Sequence, residues 1–235
     1  PEFAPMEEDD ELRLEKLHEV GSMWSWPVDA AERPLYEQEY PSLGTVLQMM
    51  VGNVKRMIRM SKEFSALRAL HVTDQLRLIK NCYLDVLILR SAMAYDPKEN
   101  AWKGPSSSHE YTIRASHDEM NRYLLMQFLR LYVAFKEEYR SDDAVMLLLN
   151  MIVLFDPNVD GLANMGKVRA EQNKYKLCLK RYLYTKLEGD SSRAQSVYKA
   201  LLDCLVDIRE IKAGSHAVLV THWDILDPLM KELVG

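Results

Sequence analysis

This 235-residue sequence is poor in the residues that interrupt helices and in those that cross-link small domains. It contains only nine glycines, nine prolines and three cysteines. Cys82, Cys178 and Cys204 are odd in number and widely spaced, which predicts neither a disulfide framework nor a zinc site and favours a reducing compartment. No run of 18 apolar residues and no signal peptide is present, so we expect no contact with a membrane.

Sequence patterns of common enzyme active sites are also missing. The six histidines form no His-x-x-x-His pair with a glutamate, and neither a glycine-rich phosphate loop nor a Gly-x-Ser-x-Gly turn occurs. The acidic run at residues 7–11 is more typical of a solvated N-terminal helix than of a magnesium site. We therefore expect no catalytic residue, metal site or cofactor in this chain.

Composition bounds the class of protein. With 48% hydrophobic and 28% charged residues, the chain is long enough to bury one sizeable core and is ordinary for a soluble globular protein. A net charge of −5 and a pI near 5.7 argue against nucleic acid as a partner of this chain. No long polar linker and no internal repeat divides the sequence, which predicts a single domain.

Helical periodicity runs through nearly the whole chain and predicts an all-α fold. Residues 21–41 are irregular, residues 96–112 suit a loop or a small hairpin, and Gly214 is expected to loosen the chain after residue 212. Thr73 is the predicted N-cap of its helix. The predicted helices are 8–20, 42–67, 73–95, 116–139, 141–155, 167–187, 191–212 and a short helix at the C-terminal end.

The C-terminal helix has a pronounced apolar face. Leu226, Leu229, Met230 and Leu233 recur at the spacing i, i+3, i+4, i+7. Pro228 directly follows an aspartate, which predicts a first-turn proline behind an N-cap. A helix of two to three turns is marginal in water and forms mainly when its apolar face docks. It therefore either completes the core or acts as a switch that docks and undocks at low cost.

A permanent charge lies inside an apolar helix. Residues 82–95 are apolar almost all round, which predicts burial, yet they include Arg90. A buried guanidinium needs a partner, so Arg90 either pairs with a protein carboxylate or anchors a ligand hydroxyl or carboxylate in an internal pocket. Thirteen methionines suit an adaptable core and also a greasy ligand.

A basic stripe runs along one predicted helix. Lys55, Arg59 and Lys62 follow the spacing i, i+4, i+7 on the face opposite the apolar one, and Lys80 ends the polar face of the next helix. Such a stripe is either simply solvated or binds the open carbonyls of a partner helix, whose C-terminal end is negative. Glu232 on the C-terminal helix is suited to the opposite end of the same partner.

The combination of these residues resembles the ligand-binding domain of nuclear receptors, and the resemblance covers essentially the whole chain. Residues 226–233 read Leu-x-x-Leu-Met-x-Glu-Leu and are similar to the family's activation helix. Residues 89–91 followed by 101–104 most resemble the vitamin D receptor group, which includes the nematode dafachronic-acid receptor. The motifs that carry the family resemblance are Phe64-x-x-Leu67, Asp74-Gln75-Leu76-x-Leu78-Ile79-Lys80 and Leu87-Ile88-Leu89-Arg90-Ser91.

The resemblance implies a three-layer antiparallel helical sandwich with one small β-hairpin near residues 101–113. Residues 6–235 would form the ligand-binding domain, and residues 1–5 a tail, because Pro1-Glu2-Phe3 is typical of a cloning scar. Full-length members carry a zinc DNA-binding domain and act in the nucleus, so the resemblance implies an excised domain of a nuclear transcription factor.

The resemblance also implies two sites. One is a pocket for a sterol-like ligand, bile-acid-like or secosteroid, with the lining residues Val46, Leu47, Met50, Leu87, Arg90, Met93, Trp102 and His216. The other is a groove for a coactivator Leu-x-x-Leu-Leu helix, with Lys62 and Glu232 as its charged clamp and Gln75, Lys80 and Leu229 along it. Lys231, beside the clamp glutamate, departs from the family's pattern.

The resemblance also implies a dimer interface, and two alternative functions stay open. Residues 191–212 match the helix through which the family pairs with the retinoid X receptor or with itself. One alternative is a constitutive orphan receptor whose cavity is filled by side chains. The other is an all-α enzyme of isoprenoid lipids, which needs carboxylates facing a cavity. The apolar stripe of the dimer helix is Tyr198, Leu201, Leu202, Leu205 and Ile208.

Overall fold

The computed structural model describes residues 2–22, 30–103, 111–114 and 119–235, without the side chains of residues 119–125 and 127. Helices dominate these residues, which confirms the predicted all-α class. The helices are α1 (Glu8–Gly21), α2 (Arg33–Tyr36), α3 (Leu43–Ser61), α4 (Ser65–Arg68), α5 (Val72–Ala94), α6 (Glu119–Ala134), α7 (Glu137–Arg140), α8 (Asp143–Leu154), α9 (Met165–Lys186), α10 (Ser191–Thr221) and α11 (Pro228–Val234), with a 3-10 helix at Trp223–Ile225.

The helices pack in three layers around α8. Nearly every position of α8 is buried, because its sequence is apolar on all faces. Helices α5, α8 and α9 lie side by side in the middle layer, since α8 packs against both of the others. Helices α1 and α3 cover this layer on one side, and α6 and α10 cover it on the other. The predicted three-layer sandwich is therefore confirmed.

The predicted β-hairpin is part of a three-stranded antiparallel sheet. Strand β1 (Tyr95–Asp96) pairs with β2 (Ala101–Lys103), and β2 pairs with β3 (Thr112–Ile113). Asn100 turns the chain between the first two strands with a φ of 48°, a conformation that asparagine tolerates well. The tip of the predicted hairpin, residues 104–110, lies outside the described residues.

The predicted long helix over residues 42–67 is wrong, because the chain turns after Ser61 and forms the separate helix α4. Phe64 has an extended backbone, with φ −87° and ψ 115°, and its ring is buried in the core. The turn after Ser61 allows the Phe64 ring to reach the core. Thr73 is also not the N-cap of α5, since the Nδ1 of His71 accepts a hydrogen bond from the Thr73 amide.

Two other predicted boundaries differ. Helix α10 runs through Gly214 to Thr221 and does not end at residue 212. A glycine inside a helix costs only about 1 kcal/mol relative to alanine, and the buried Ile211 and Leu219 hold both sides of it against the core. The predicted helix 116–139 is divided into α6 and α7, with Phe135 buried between them; its predicted start at residue 116 lies outside the described residues.

A buried aspartate ties α5 to the segment that precedes α9. The fully buried carboxylate of Asp74 accepts hydrogen bonds from the backbone amides of Ala163, at 2.9 Å, and Asn164, at 3.0 Å. Arg77, one turn along α5, lies 3.9 Å from the same carboxylate and donates a 2.6 Å hydrogen bond to the carbonyl of Gly161. Asp74 and Arg77, which are neighbours on α5, therefore fix the loop that precedes α9.

The three cysteines are buried and free. Burial raises the pKa of Cys178 to about 12 and that of Cys204 to about 11, so both stay protonated and inert at neutral pH. Within the part of the chain that the structure describes, no group of histidine, cysteine, aspartate or glutamate side chains is arranged to hold a metal ion. No described helix has both the length and the apolar character needed to cross a membrane.

Candidate functional site

Helix α11 is docked on the body of the domain. The Asp227 side chain accepts a 2.8 Å hydrogen bond from the Leu229 amide, and Pro228 is the first helical residue, which confirms the predicted cap. Met230 and Leu233 are buried and Leu229 is half-buried, so the predicted apolar face is the docked face. The 3-10 helix occupies the preceding residues, and α11 itself begins only at Pro228.

The exposed face of α11 carries a carboxylate that pairs with α5. Glu232 is 72% exposed, and its Oε1 lies 3.2 Å from the Nζ of Lys80. Lys62 is exposed at the C-terminal end of α3 and makes no ion pair with any residue in the described ranges. The predicted clamp glutamate therefore contacts the nearer lysine, while the second lysine is available to a partner.

Apolar side chains accompany these charges on three helices. Leu76, 55% exposed, lies one turn before Lys80 on α5, and the half-buried Ile58 lies one turn before Lys62 on α3. Leu229 lies one turn before Glu232 on α11. Each helix thus carries an apolar residue and a charge on one of its own faces. We call the surface made of Ile58, Lys62, Gln75, Leu76, Lys80, Leu229 and Glu232 the α3–α5–α11 groove.

Hydrogen bonds around α4 hold the two lysine-bearing helices together at this surface. Arg68 donates from Nη1 to the carbonyl of Lys62, which ends α3. Gln75 donates from its side-chain amide to the carbonyl of Leu70 at 2.9 Å and to that of Arg68 at 3.4 Å. Lys62 and Gln75 are therefore both bound to the short segment between α3 and α5.

The predicted pocket residue Arg90 is half-buried, on α5. Its Nη1 lies 3.6 Å from the sulfur of Met93. Burial lowers the pKa of Arg90 to about 10, and the negative charge of Asp143 opposes this shift. The guanidinium therefore keeps its charge at neutral pH within a mainly apolar environment. The predicted role of Arg90 as a ligand anchor stays a prediction.

Trp102 belongs to an aromatic cluster with Tyr95 and Tyr132. Its Nε1 donates a 2.9 Å hydrogen bond to the hydroxyl of Tyr132, which lies 3.1 Å from the hydroxyl of Ser91. The ring of Tyr95 stacks on Tyr132 with centroids 4.5 Å apart. Burial raises the pKa of Tyr132 to about 12, so its hydroxyl stays neutral. Sequence reasoning missed Tyr132, because no motif marks its place in α6.

The other predicted pocket residues fall into two groups. Leu47 is buried, and Val46, Met50 and Leu87 are half-buried, on the α3 and α5 helices that pack against each other. His216 is exposed instead, and its Nε2 lies 3.2 Å from the carbonyl of Val234 in the last turn of α11. The structure therefore places His216 as a contact between α10 and α11.

Two surface clefts lie elsewhere. One of about 390 Å³ opens where α5 meets β1 and α7, and among the predicted pocket residues only Met93 lines it. Another of about 560 Å³ lies between the N-terminal residues and α10, where the ring of Phe3 packs edge-on against Tyr198. Neither cleft coincides with the α3–α5–α11 groove.

The predicted dimer stripe on α10 lies partly in the core. Leu201 and Ile208 are buried, whereas Tyr198, Leu202 and Leu205 are half-buried. Val206, which the predicted stripe did not include, is 54% exposed and lies one turn after Leu202. A partner can therefore reach Leu202 and Val206, because the buried members of the stripe already contact the core.

Comparisons with known proteins agree with this architecture. A family model described as the ligand-binding domain of nuclear hormone receptor matches residues 32–216. The nuclear hormone receptor family member nhr-8 of Caenorhabditis elegans is 30% identical over 234 residues, which are 97% of this chain and 40% of that protein. The nuclear hormone receptor HR96 of Drosophila melanogaster is 28% identical over 198 residues, 82% of this chain and 27% of that protein.

The vitamin D3 receptor of Xenopus laevis is 24% identical over 205 residues, which cover 83% of this chain. This chain covers 47% of that receptor. It therefore spans between about a quarter and a half of the length of these relatives.

Proposed function

Because this chain belongs to the nuclear hormone receptor ligand-binding domain family, we propose that it binds a sterol-like hormone between its helical layers and recruits coactivators through α11. Its relatives are nuclear receptors, which are ligand-regulated transcription factors rather than enzymes. The nucleus is accordingly the proposed location of the full-length protein. The observation that supports the proposal is that Glu232 of the docked α11 pairs with Lys80 of α5, while Lys62 at the end of α3 is exposed and makes no ion pair among the described residues.

The chemistry of the groove suits a short amphipathic helix. Exposed Leu76 and half-buried Ile58 and Leu229 provide an apolar floor for leucine side chains. The first turn of a helix has unpaired amides and a partial positive charge, and its last turn has unpaired carbonyls and a partial negative charge. Glu232 would bind the first turn of a docked Leu-x-x-Leu-Leu helix, and Lys62 would bind the last.

Fluorescence polarisation with a Leu-x-x-Leu-Leu peptide tests this function. We expect saturable binding of the peptide and no binding of a matched peptide whose three leucines are alanine, because the apolar floor supplies most of the contact. Equal binding of the two peptides would contradict the proposal, since it would show that the groove does not select leucines.

A hormone acts as a switch here only if it binds the docked state of α11 better than the undocked state. Arg90 supplies a permanent charge for the polar end of a sterol-like ligand, and the half-buried Val46, Met50 and Leu87 supply apolar surface. Native mass spectrometry of the purified protein would detect a retained lipid. A mass equal to that of the bare chain, before and after addition of a bile acid or a secosteroid, contradicts hormone binding.

We predict that Arg90→Met keeps the fold and weakens ligand binding by about 1.5–3 kcal/mol, the range for a hydrogen bond to a charged group. This corresponds to a roughly 10- to 150-fold increase in Kd. Titration with a bile acid and with a secosteroid measures the effect. Arg169→Met, at an exposed position of α9, is the control and should leave Kd unchanged. An unfolded Arg90→Met protein in circular dichroism would assign Arg90 to a structural ion pair.

We propose that α10 forms a dimer with a retinoid X receptor-type partner or with a second copy. Val206→Arg should abolish association at micromolar concentration, because an arginine would replace an exposed apolar side chain in the contact. Sedimentation with and without a retinoid X receptor domain measures this. Leu12→Arg makes the same change at an exposed position of α1 and should have no effect. Unaltered association of the Val206 variant would remove α10 from the interface.

A constitutive receptor with a filled pocket is the second candidate. The Trp102, Tyr132 and Ser91 side chains already satisfy one another's hydrogen bonds, and three aromatic rings pack in the same place. If the receptor is constitutive, the Leu-x-x-Leu-Leu peptide should bind with the same affinity whether or not a lipid is added. A lipid-dependent increase in peptide affinity excludes it.

A further inference from the structure

The cleft where α5 meets β1 and α7 contains a buried arginine. Arg140 is only 6% exposed, yet it lines this cleft, which has a volume of about 390 Å³. A guanidinium keeps its charge at any pH that a folded protein tolerates, and a buried charge needs a partner. What this cleft can bind therefore depends on the groups that already pair with Arg140.

Two backbone carbonyls occupy one nitrogen of this guanidinium. Nη1 of Arg140 donates to the carbonyl of Tyr95 at 2.7 Å and to that of Ala92 at 3.1 Å, where α5 ends. The partial negative charge of that helix end offsets part of the arginine's charge. The guanidinium carbon also lies 6.0 Å from the centre of the Tyr95 ring. These contacts hold the side chain in place at the cleft.

The opposite edge of the guanidinium has no partner among the described residues. Nε of Arg140 is buried and donates no hydrogen bond. Nη2 donates none either, and unlike Nε it is not sealed from solvent. No carboxylate in the described ranges forms an ion pair with Arg140. The Nε–Nη2 edge is therefore an unused pair of donors on a side chain that lines a cleft.

Other lining residues add apolar surface and positive charge. Met93 is half-buried, and Lys98 is exposed and pairs with no carboxylate in the part of the chain that the structure describes. The carboxylate of Asp96 is already bound to Lys103, at 2.8 Å. Glu137 is exposed and also lines the cleft. With Arg140 included, the lining keeps an excess of positive charge.

We propose that this cleft binds a small organic acid, with its carboxylate on the Nε–Nη2 edge of Arg140 and its apolar body against Met93. The volume of the cleft lies within the range of about 300–1,000 Å³ that is typical of small-molecule sites. A carboxylate that enters reaches Nη2 directly, and its two coplanar oxygens match the parallel donors of this edge. The acid would thereby supply the partner that the buried charge lacks.

This site differs from the pocket proposed for a sterol-like hormone. Of the residues predicted to line that pocket, only Met93 also lines the cleft. An acid bound here contacts the end of α5, β1 and α7, and it leaves α11 untouched. The inference therefore does not depend on hormone binding or on coactivator recruitment.

Thiol modification at the rim of the cleft tests the inference with octanoate as the probe. Ser141 is exposed and lines the cleft, whereas all three native cysteines are buried. In the variant Ser141→Cys, N-ethylmaleimide should therefore react first at the cleft. We expect about 10 mM octanoate to slow this reaction about tenfold, as for a Kd on the order of 1 mM. Octanamide, which has the same chain without the charge, should leave the rate unchanged.

Two additional substitutions in the Ser141→Cys protein assign the effect to named side chains. Arg140→Lys keeps a charge that can bind the end of α5 but removes the planar edge, so octanoate should no longer protect the thiol. Lys98→Glu, at an exposed position, should weaken binding about threefold, which is within the range for an exposed charge contact. Lys167→Glu makes the same charge change at an exposed position of α9 and should keep full protection.

Equal protection by octanoate and octanamide, or protection by neither, overturns the inference. Full protection in Arg140→Lys overturns it as well, because the carboxylate would then bind elsewhere. If circular dichroism shows that Arg140→Lys is unfolded, the comparison of Lys98→Glu with Lys167→Glu decides: a loss in the first alone supports the site, and an equal result in both overturns it.

Discussion

Replacing Glu232 with lysine is expected to abolish binding of a Leu-x-x-Leu-Leu peptide while the affinity for a sterol-like ligand stays nearly unchanged. The carboxylate lies on the exposed face of α11, whereas the buried Met230 and Leu233 form the opposite face. A lysine at this position repels the positive end of the peptide helix and also faces Lys80. Like charges brought together at an interface cost several kcal/mol. We therefore expect no measurable binding at tens of micromolar peptide.

Two further variants separate the clamp from the internal ion pair. Asp224→Lys makes the same charge change at an exposed position just before α11 and should bind the peptide normally. Lys80→Glu/Glu232→Lys restores an ion pair between α5 and α11 but still presents a lysine to the peptide, so it should not bind. Recovery of binding in the double variant would show that Glu232 acts only by holding α11. Unchanged peptide affinity in Glu232→Lys would make α11 an ordinary core helix.

Replacing Asp74 with alanine is expected to lower the free energy of unfolding by about 2–5 kcal/mol. The carboxylate is fully buried and accepts hydrogen bonds from the amides of Ala163 and Asn164. Its removal loses two hydrogen bonds to a charged group, each worth about 1.5–3 kcal/mol, and water replaces part of this because Ala163 and Asn164 are exposed. The nearby charge of Arg77 also loses its carboxylate. Equilibrium unfolding in urea, followed by circular dichroism, measures the difference.

Asp160→Ala is the matched control, because Asp160 is exposed in the same segment before α9. A surface substitution of this kind changes stability by no more than about 0.5 kcal/mol. If Asp74→Ala unfolds at the same urea concentration as the control, the connection between α5 and the loop before α9 does not stabilise the domain.

The parts of the fold that depend on local chemistry could be predicted from the sequence. Asp227 and Pro228 mark the start of α11, because capping and proline geometry involve only neighbouring residues. The end of α3 could not be predicted in this way. Phe64 leaves the helical conformation so that its ring reaches the core, and that contact depends on residues far along the chain.

The candidate site likewise combines features that could be predicted from the sequence with features that could not. The charge of Arg90 in an apolar helix was visible in the sequence, because burial of that segment follows from its composition. The contact of Glu232 with Lys80, which was also a predicted groove residue, was not visible, because both predicted lysines carry the same charge and only the packing of α11 decides between them. Tyr132 and the surface position of His216 likewise depend on how the helices meet.

Helix α10 is unbroken, so a movement of one part of it displaces the rest. Its 31 residues span about 46 Å, and its axis passes from the exposed Val206 to His216, which contacts the last turn of α11. His216 lies about 37 Å along the axis from Ser191, so a tilt of 5° about the N-terminal end would move it by about 3 Å. That displacement is about as long as the hydrogen-bond distance between His216 and Val234. The orientation of α10 and the docking of α11 are therefore coupled through this contact.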